Sequence, residues 1–131
     1  MDSRTNKGVY KWYYQDGKLR EETGFLVDNS REKLDGIQNI YYKNGQLRQT
    51  TNFKDDKKDG KFMSYFENGT LAEETTFKEG KPYGSTKRYY PNGKLKDEAN
   101  IMGKGDGVVK IYNSNGTLIE TQTYKNGKLM K

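Results

Sequence analysis

The fold is decided by the stretch GKFMSYFENGTLAEETTFKEGKPY, which occupies residues 60–83. An aromatic-rich run, residues 61–66, is interrupted by Asn68-Gly69, and a second run of alternating apolar and polar residues starts at Leu71. Asn-Gly is typical of tight turns between two strands, because both residues accept positive φ. The stretch therefore predicts a β-hairpin closed by a type I′ turn at Asn68-Gly69.

The same pattern occurs five times along the 131 residues. Each copy begins at a glycine, and a tyrosine, a second glycine and a leucine follow at fixed distances. The first glycines are Gly8, Gly36, Gly60, Gly84 and Gly107; the tyrosines are Tyr13, Tyr41, Tyr65, Tyr89 and Tyr112; the second glycines are Gly17, Gly45, Gly69, Gly93 and Gly116; the leucines are Leu19, Leu47, Leu71, Leu95 and Leu118. A nearly constant period in this range indicates a repeat architecture, and such proteins are usually binding surfaces.

The expected fold is all-β: tandem antiparallel β-hairpin repeats form an elongated, twisted single-sheet ribbon of about ten strands. One isolated hairpin is marginal in water, so neighbouring copies have to pair edge to edge. Residues 1–7 are expected to be an N-terminal tail. One repeat domain, residues 8–131, then contains five copies at 8–35, 36–59, 60–83, 84–106 and 107–131.

The alternation within each copy predicts one apolar face, held together mainly by aromatic stacking across strands. This face is expected to contain Leu19, Leu47, Leu71, Leu95 and Leu118, then Phe25, Phe53, Phe77, Ile101 and Tyr124, and also Tyr14, Tyr42, Phe66 and Tyr90. The first copy has four extra residues within 26–35, which we expect to form an exposed loop.

The composition argues against catalysis and against bound metals or cofactors. The chain has no cysteine and no histidine, which excludes disulfides and thiolate metal sites and removes the commonest general base. Adjacent carboxylates recur at Glu21-Glu22, Glu73-Glu74 and Asp97-Glu98, where a glycosidase would need an acid and a nucleophile. Because they recur with the repeat, we interpret them as cross-strand partners of lysines. The sequence thus predicts a non-enzymatic protein without cofactors.

Charge and hydropathy restrict the remaining partners. The net charge of +6 arises from 24 basic and 18 acidic residues that are interleaved, so no basic block favours a specific nucleic acid. Asp55, Asp56 and Asp59 lack the alternating spacing of a calcium loop and are expected in a solvated turn. No apolar run is long enough to span a bilayer. The sequence does not determine the compartment. The protein is either cytoplasmic, or exported with its signal peptide absent from this sequence.

The tyrosine of each copy shares its strand face with Lys11, Asn39, Met63, Lys87 or Lys110. Such a row fits a recognition stripe, because tyrosine offers rigid, amphipathic contact area. It fits equally well a structural ladder in a thin sheet. The candidate partner-binding residues are Trp12, Tyr13, Tyr41, Met63, Tyr65, Arg88, Tyr89 and Tyr112.

Two segments carry a family resemblance: Tyr41-Tyr42-Lys43-Asn44-Gly45-Gln46-Leu47 and Tyr89-Tyr90-Pro91-Asn92-Gly93-Lys94-Leu95. They resemble the MORN-variant repeat, and the resemblance covers roughly residues 8–128. Chains built only of this repeat are similar to bacterial YwqK-type antitoxins, which are taken to neutralise a toxin encoded beside them. The resemblance implies that this chain binds a protein partner and inhibits it by that contact alone, without catalysing a reaction. The alternative is a structural or surface-exposed scaffold module; contact with membrane is not the expected mode of binding.

Overall fold

A computed structural model describes residues 6–101 and 105–130 as one antiparallel sheet. Eleven strands follow one another in the sheet in the order of the chain. Their bounds are β1 Asn6–Tyr13, β2 Leu19–Asp28, β3 Arg31–Tyr41, β4 Leu47–Lys54, β5 Lys57–Tyr65, β6 Leu71–Lys78, β7 Lys81–Tyr89, β8 Leu95–Ile101, β9 Gly107–Tyr112, β10 Leu118–Lys125 and β11 Lys128–Met130. The predicted all-β architecture of tandem hairpins in a single sheet is confirmed.

The turn within each copy is a three-residue turn, so the prediction of a type I′ turn at Asn-Gly is wrong. In the first copy, the amide of Gly17 donates to the carbonyl of Tyr14 at 2.9 Å, and the amide of Tyr14 donates to the carbonyl of Lys18 at 2.8 Å. Only the glycine has positive φ, 91° at Gly17 and 88–94° at its four equivalents. This is a type I turn followed by a glycine bulge. In copies one to four, the residue before the glycine caps the turn, as Asp16 does by accepting the amide of Lys18 at 2.9 Å.

The type I′ turns lie between the copies instead. Positive φ occurs at two successive residues in Asn29-Ser30, Asp55-Asp56, Glu79-Gly80 and Asn126-Gly127. The turn at Asn29-Ser30 shows that the prediction of an exposed loop within residues 26–35 is wrong. Their extra residues lengthen β2 and β3, which stay paired from Leu26–Lys33 to Asp28–Arg31.

The three-residue turn and a second bulge just after the leucine divide the side chains between two faces in a way that the alternation alone did not predict. In every copy the register shifts by one residue next to the turn, so that Tyr13 lies opposite Leu19 while Trp12 lies opposite Glu21. Directly opposed residues share a face of a sheet. The leucines therefore lie with the tyrosines, and the predicted common face of leucines and phenylalanines is wrong. We call the first the tyrosine face. The second, which contains Thr23, Thr51 and Thr75, we call the threonine face.

The described part of the sheet has no buried apolar side chain. Its buried side chains are Thr23, Thr51 and Thr75, which are 1–3% exposed, at the centres of β2, β4 and β6. Phe62 lies opposite both Thr51 and Thr75, and its ring meets that of Phe77 edge to face at 6.3 Å between centroids. With no second layer, the sheet depends on cross-strand hydrogen bonds and on side chains that reach the next copy.

Tyrosine hydroxyls form such links between copies. Tyr14 donates to the carbonyl of Tyr41 at 2.6 Å, Tyr42 to that of Tyr65 at 2.6 Å, and Tyr90 to that of Tyr112 at 2.7 Å. Aromatic pairs, in contrast, occur only within copies among the described residues. The expectation that stacking is the main cohesive term is therefore wrong for the joints between copies, which are made by hydrogen bonds.

The third copy has Phe66 at the position of these linking tyrosines, and this difference generates a prediction. Phe66→Tyr is expected to raise the free energy of unfolding by about 0.5–1.5 kcal/mol, because the new hydroxyl can reach the carbonyl of Tyr89. Tyr42→Phe is expected to lower it by a similar amount. Urea titrations followed by circular dichroism measure both changes. Unchanged midpoints in both variants would show that the hydroxyl links do not stabilise the sheet.

The bulge glycine of the central hairpin generates a second prediction. Gly69 has φ of 90°, and a β-carbon there would lie 3.0 Å from Oε1 of Gln46. Gly69→Val is expected to cost at least about 1 kcal/mol more than Gly69→Asn, since asparagine tolerates this backbone conformation and a β-branched residue does not. Thermal unfolding of the two variants tests the difference, and equal melting temperatures would contradict the turn geometry.

Candidate protein-binding surface

An apolar stripe crosses the tyrosine face from β1 to β10, perpendicular to the strands. It arises because the register opposes the tyrosine and the leucine of each copy, and because successive copies repeat that pair. The tyrosine–leucine stripe consists of the pairs Tyr13–Leu19, Tyr41–Leu47, Tyr65–Leu71, Tyr89–Leu95 and Tyr112–Leu118. At about 4.8 Å per strand, ten strands make the stripe roughly 43 Å long. Its side chains are partly exposed, from the half-buried centre to 55% exposure at Tyr13.

A polar row lies beside the stripe on the same face and fixes some of its tyrosines. The hydroxyl of Tyr41 donates to Oε1 of Glu22 at 2.9 Å, and the side-chain amide of Asn39 donates to the same oxygen at 3.2 Å. Desolvation and this bond to Glu22 raise the pKa of Tyr41 above its ordinary value. In the third copy, the hydroxyl of Tyr65 contacts the sulfur of Met63 at 3.7 Å. The stripe is thus partly preorganised by its neighbours.

The threonine face carries a different chemistry. A row on this face contains Glu21, Glu73, Asp97 and Glu120, on β2, β6, β8 and β10, while β4 has Gln49 at the equivalent position. The row includes one cation, Arg88, which binds Asp97 through two bonds of 3.0 and 2.6 Å. The bond to Asp97 raises the pKa of Arg88 further above its ordinary value. The row is therefore acidic although the chain as a whole is basic.

An open depression of about 500 Å³ surrounds the Arg88–Asp97 pair. Val109, Ile111 and Tyr124 form its apolar side, and Glu73 and Gln122 its polar side. Arg88 lies between two carboxylates here, opposite Glu73 on one side and Asp97 on the other. Because its guanidinium is occupied by Asp97, the depression offers a partner mainly carboxylate and apolar contacts.

The structure separates the eight predicted partner-binding residues into two sets. Six of them lie together on the tyrosine face: Tyr13, Tyr41, Met63, Tyr65, Tyr89 and Tyr112. Trp12 and Arg88 lie on the threonine face, opposite Glu21 and Asp97, and do not join them. Whether any of them binds a partner stays a prediction.

Sequence reasoning missed the leucines as surface residues. Leu118 is 48% exposed, and none of the other four is buried. The signal that places them beside the tyrosines is the length of the turn. A three-residue turn with a bulge, rather than a two-residue turn, moves the leucine to the opposite face.

The adjacent carboxylates do not form two-carboxylate sites. Glu73 lies opposite Ser64 on the threonine face, while Glu74 lies opposite Met63 and Lys87 on the tyrosine face. The aspartates near Gly60 also have local roles. Asp55 binds Lys33 at 3.4 Å, and Asp56 accepts the amide of Leu34 at 2.7 Å. Within residues 6–101 and 105–130, no group of three acidic side chains could hold a metal ion.

Comparison with known families fits the hairpin pattern. The profile of the MORN repeat variant matches residues 7–25, 34–55, 58–79, 82–101 and 105–126. The chain belongs to the MORN repeat variant family. MORN repeats are non-catalytic modules that bind proteins or membranes. A search of curated proteins finds no match to this chain. Among the described residues, no helix has the length and hydropathy needed to cross a membrane.

The contact between Tyr41 and Glu22 predicts a pH-dependent loss of stability. The pKa of Tyr41 is raised in the folded protein, so its stabilising contribution is present below about pH 10 and is lost as the pH rises through the folded pKa. Tyr41→Phe is therefore expected to destabilise the protein most near neutral pH and least above pH 10. Denaturant titrations across this range measure the trend.

Tyr65→Phe is the matched control, because the hydroxyl of Tyr65 contacts a sulfur and not a carboxylate. The difference between the two variants isolates the contact with Glu22. If both variants lose the same stability at every pH, the contact does not contribute in solution.

Proposed function

We propose that this protein neutralises a protein partner by direct binding, as an antitoxin or immunity-type protein of bacterial origin does, and that the tyrosine–leucine stripe is the binding surface. The stripe carries the proposal, because it is a continuous row of ten partly exposed apolar side chains on a folded protein. Soluble monomers rarely expose large contiguous apolar patches without using them. The resemblance of the repeat to YwqK-type antitoxins adds the neutralising role.

The composition of the stripe supports a protein partner. Tyrosine is enriched at interface hot spots, because one ring gives large contact area at low cost in conformational entropy. The adjoining polar row supplies a rim of hydrogen-bonding and charged groups, as a protein interface has. A surface about 43 Å long can also meet a partner over several copies, so that each copy contributes a small share of the affinity.

The charges of the rim favour a protein over an anionic membrane as the partner of this face. A membrane-binding surface gains from a net excess of lysine and arginine. The rim has equal numbers of both signs: Lys11, Lys87 and Lys110, and Glu22, Glu74 and Glu98. The net charge of +6 therefore lies elsewhere on the molecule.

Co-expression with the product of the adjacent gene tests the proposal. We expect the wild-type chain to restore growth of cells that express this product and to co-purify with it. Tyr89→Ser, in the centre of the stripe, is expected to weaken binding at least tenfold, as loss of a hot-spot side chain does. Growth and the dissociation constant of the purified pair are the two measurements.

Tyr83→Ser is the matched control, because Tyr83 lies on the same strand β7, is 60% exposed and is outside the stripe. It is expected to bind like the wild type. If both variants lose the same affinity for the partner, or if neither loses any, the stripe is not the binding surface. If no adjacent gene product is toxic or binds the chain, the neutralising role is wrong. Binding to anionic liposomes without a protein partner would favour the scaffold alternative.

A further inference from the structure

The turns of the second, third and fourth copies contain the same dipeptide, at Asn44-Gly45, Asn68-Gly69 and Asn92-Gly93. All three asparagines are exposed to solvent. The three glycines have φ of 88°, 90° and 89°, and each glycine amide donates to the carbonyl three residues earlier at 2.9 Å. Because the backbones of the three turns match, a chemical difference between these sites has to come from the asparagine side chains.

An asparagine followed by glycine is open to deamidation, because glycine has no side chain that shields its amide nitrogen. This nitrogen gives up its proton to a base and attacks Cγ of the asparagine. An N–Cγ bond forms, the Cγ–Nδ2 bond breaks and ammonia leaves, so that a succinimide ring results. Water then adds to one of the two ring carbonyls and opens the ring to aspartate or isoaspartate.

Hydrogen bonds hold the asparagine side chain, which has to turn before this attack. At all three sites, Oδ1 accepts the amide two residues further along the chain at 2.9 Å. At two sites Nδ2 is also bound: Asn44 donates to the carbonyl of Glu67 at 3.2 Å, and Asn92 donates to the carbonyl of Ser114 at 3.0 Å. Among the described contacts Asn68 has no such second bond, so its side chain is held less firmly.

The third turn also lacks the tyrosine link to the next copy. Tyr42 and Tyr90 make this link at the start of their turns, at 2.6 and 2.7 Å, whereas the third copy has Phe66 at this position. A turn with two links fewer than its neighbours opens more often, since local opening depends on the bonds that hold a segment. Loss of one ordinary hydrogen bond changes such an equilibrium roughly two- to tenfold.

We propose that Asn68 is a site of spontaneous deamidation in the folded protein, and that the turns of the second and fourth copies protect Asn44 and Asn92. The reaction needs water and a base and no enzyme or cofactor. Asn115-Gly116 lies in the last copy of this sequence, and Asn126-Gly127 lies in a type I′ turn, so neither has a matched counterpart.

The position of Asn68 gives the modification a consequence for the tyrosine–leucine stripe. Isoaspartate carries the main chain through its β-carbon, so the backbone of the turn becomes one carbon longer. The three-residue turn sets Leu71 opposite Tyr65, which is the central pair of the stripe. Isoaspartate at residue 68 therefore disturbs the stripe at its centre, whereas aspartate adds only a charge.

Peptide mapping by mass spectrometry tests the proposal. The folded protein is incubated in a mildly alkaline buffer, and deamidated peptides are quantified at residues 44, 68 and 92, with aspartate separated from isoaspartate by chromatography. We expect deamidation at Asn68 to be roughly two- to tenfold faster than at Asn44 and Asn92. Equal rates at the three sites, or a slower rate at Asn68, would overturn the proposal.

The chain unfolded in urea is the control for intrinsic reactivity, because glycine follows all three asparagines. The three rates are expected to agree there, and a lead of Asn68 that persists unchanged in urea would show that the fold protects neither of the other two. Phe66→Tyr is expected to slow deamidation at Asn68, and Tyr42→Phe is expected to accelerate it at Asn44. Unchanged rates in both variants would contradict protection by the tyrosine links.

Two matched variants test the consequence for the stripe. Asn68→Ser and Asn92→Ser each lose the reactive amide and keep a side-chain oxygen that can cap the turn. After the same incubation, we expect the wild type and Asn92→Ser to lose several-fold more molecules with the original melting temperature than Asn68→Ser does. Equal losses in the two variants would overturn this consequence. Because the readouts are mass and melting temperature, the result is independent of partner binding and of the proposed function.

Discussion

The backbone conformation of one glycine in each copy determines the rest of the structure. Gly17 and its equivalents adopt positive φ, which closes a three-residue turn and sets the leucine opposite the tyrosine. Just after the leucine, one further residue of the second strand has no opposite partner, Arg20 in the first copy, and it reverses the alternation of side chains along the rest of that strand. The tyrosine and the leucine then share one face, while threonine and phenylalanine share the other. A two-residue turn would have placed the leucine among the phenylalanines, and the stripe would not exist.

Because the described residues include no buried apolar side chain, the sheet has to be stabilised locally. Strands contact mainly their neighbours, so the stability is close to a sum over hairpins and joints. Polar groups make several of the joints. The linking tyrosines bind the backbone of the next copy. At the opposite ends of the strands, the amide of Gly80 donates to the backbone carbonyl of Lys58 at 2.8 Å. Such a structure is tolerant of mutations far from a given joint and sensitive to changes within it.

Much of the fold follows from the sequence, because the period, the Asn-Gly pairs and the alternation all indicate hairpins. The turn type does not follow from them, since Asn-Gly serves both in a two-residue turn and in a three-residue turn with a bulge. This ambiguity explains the wrong turn type and the wrong face of Leu19. The four extra residues within 26–35 were misassigned for another reason: they continue β2 and β3, because Asn29-Ser30 accepts positive φ. The sequence alone predicts the row of tyrosines. Placing the leucines beside them requires the register of the strands.

The phenylalanine at position 66 has a consequence for the cooperativity of the whole chain. The joint between the third and fourth copies lacks the hydroxyl link that Tyr14, Tyr42 and Tyr90 make at the other joints. The described contacts also include no bond from Asn68 to the next turn, whereas Asn44 and Asn92 each make one. In a one-dimensional array, the weakest coupling sets where the array divides when it opens. Among the described residues, the turns of copies three and four lack both of these links, and we expect the pairing of β6 with β7 to carry the coupling at this joint.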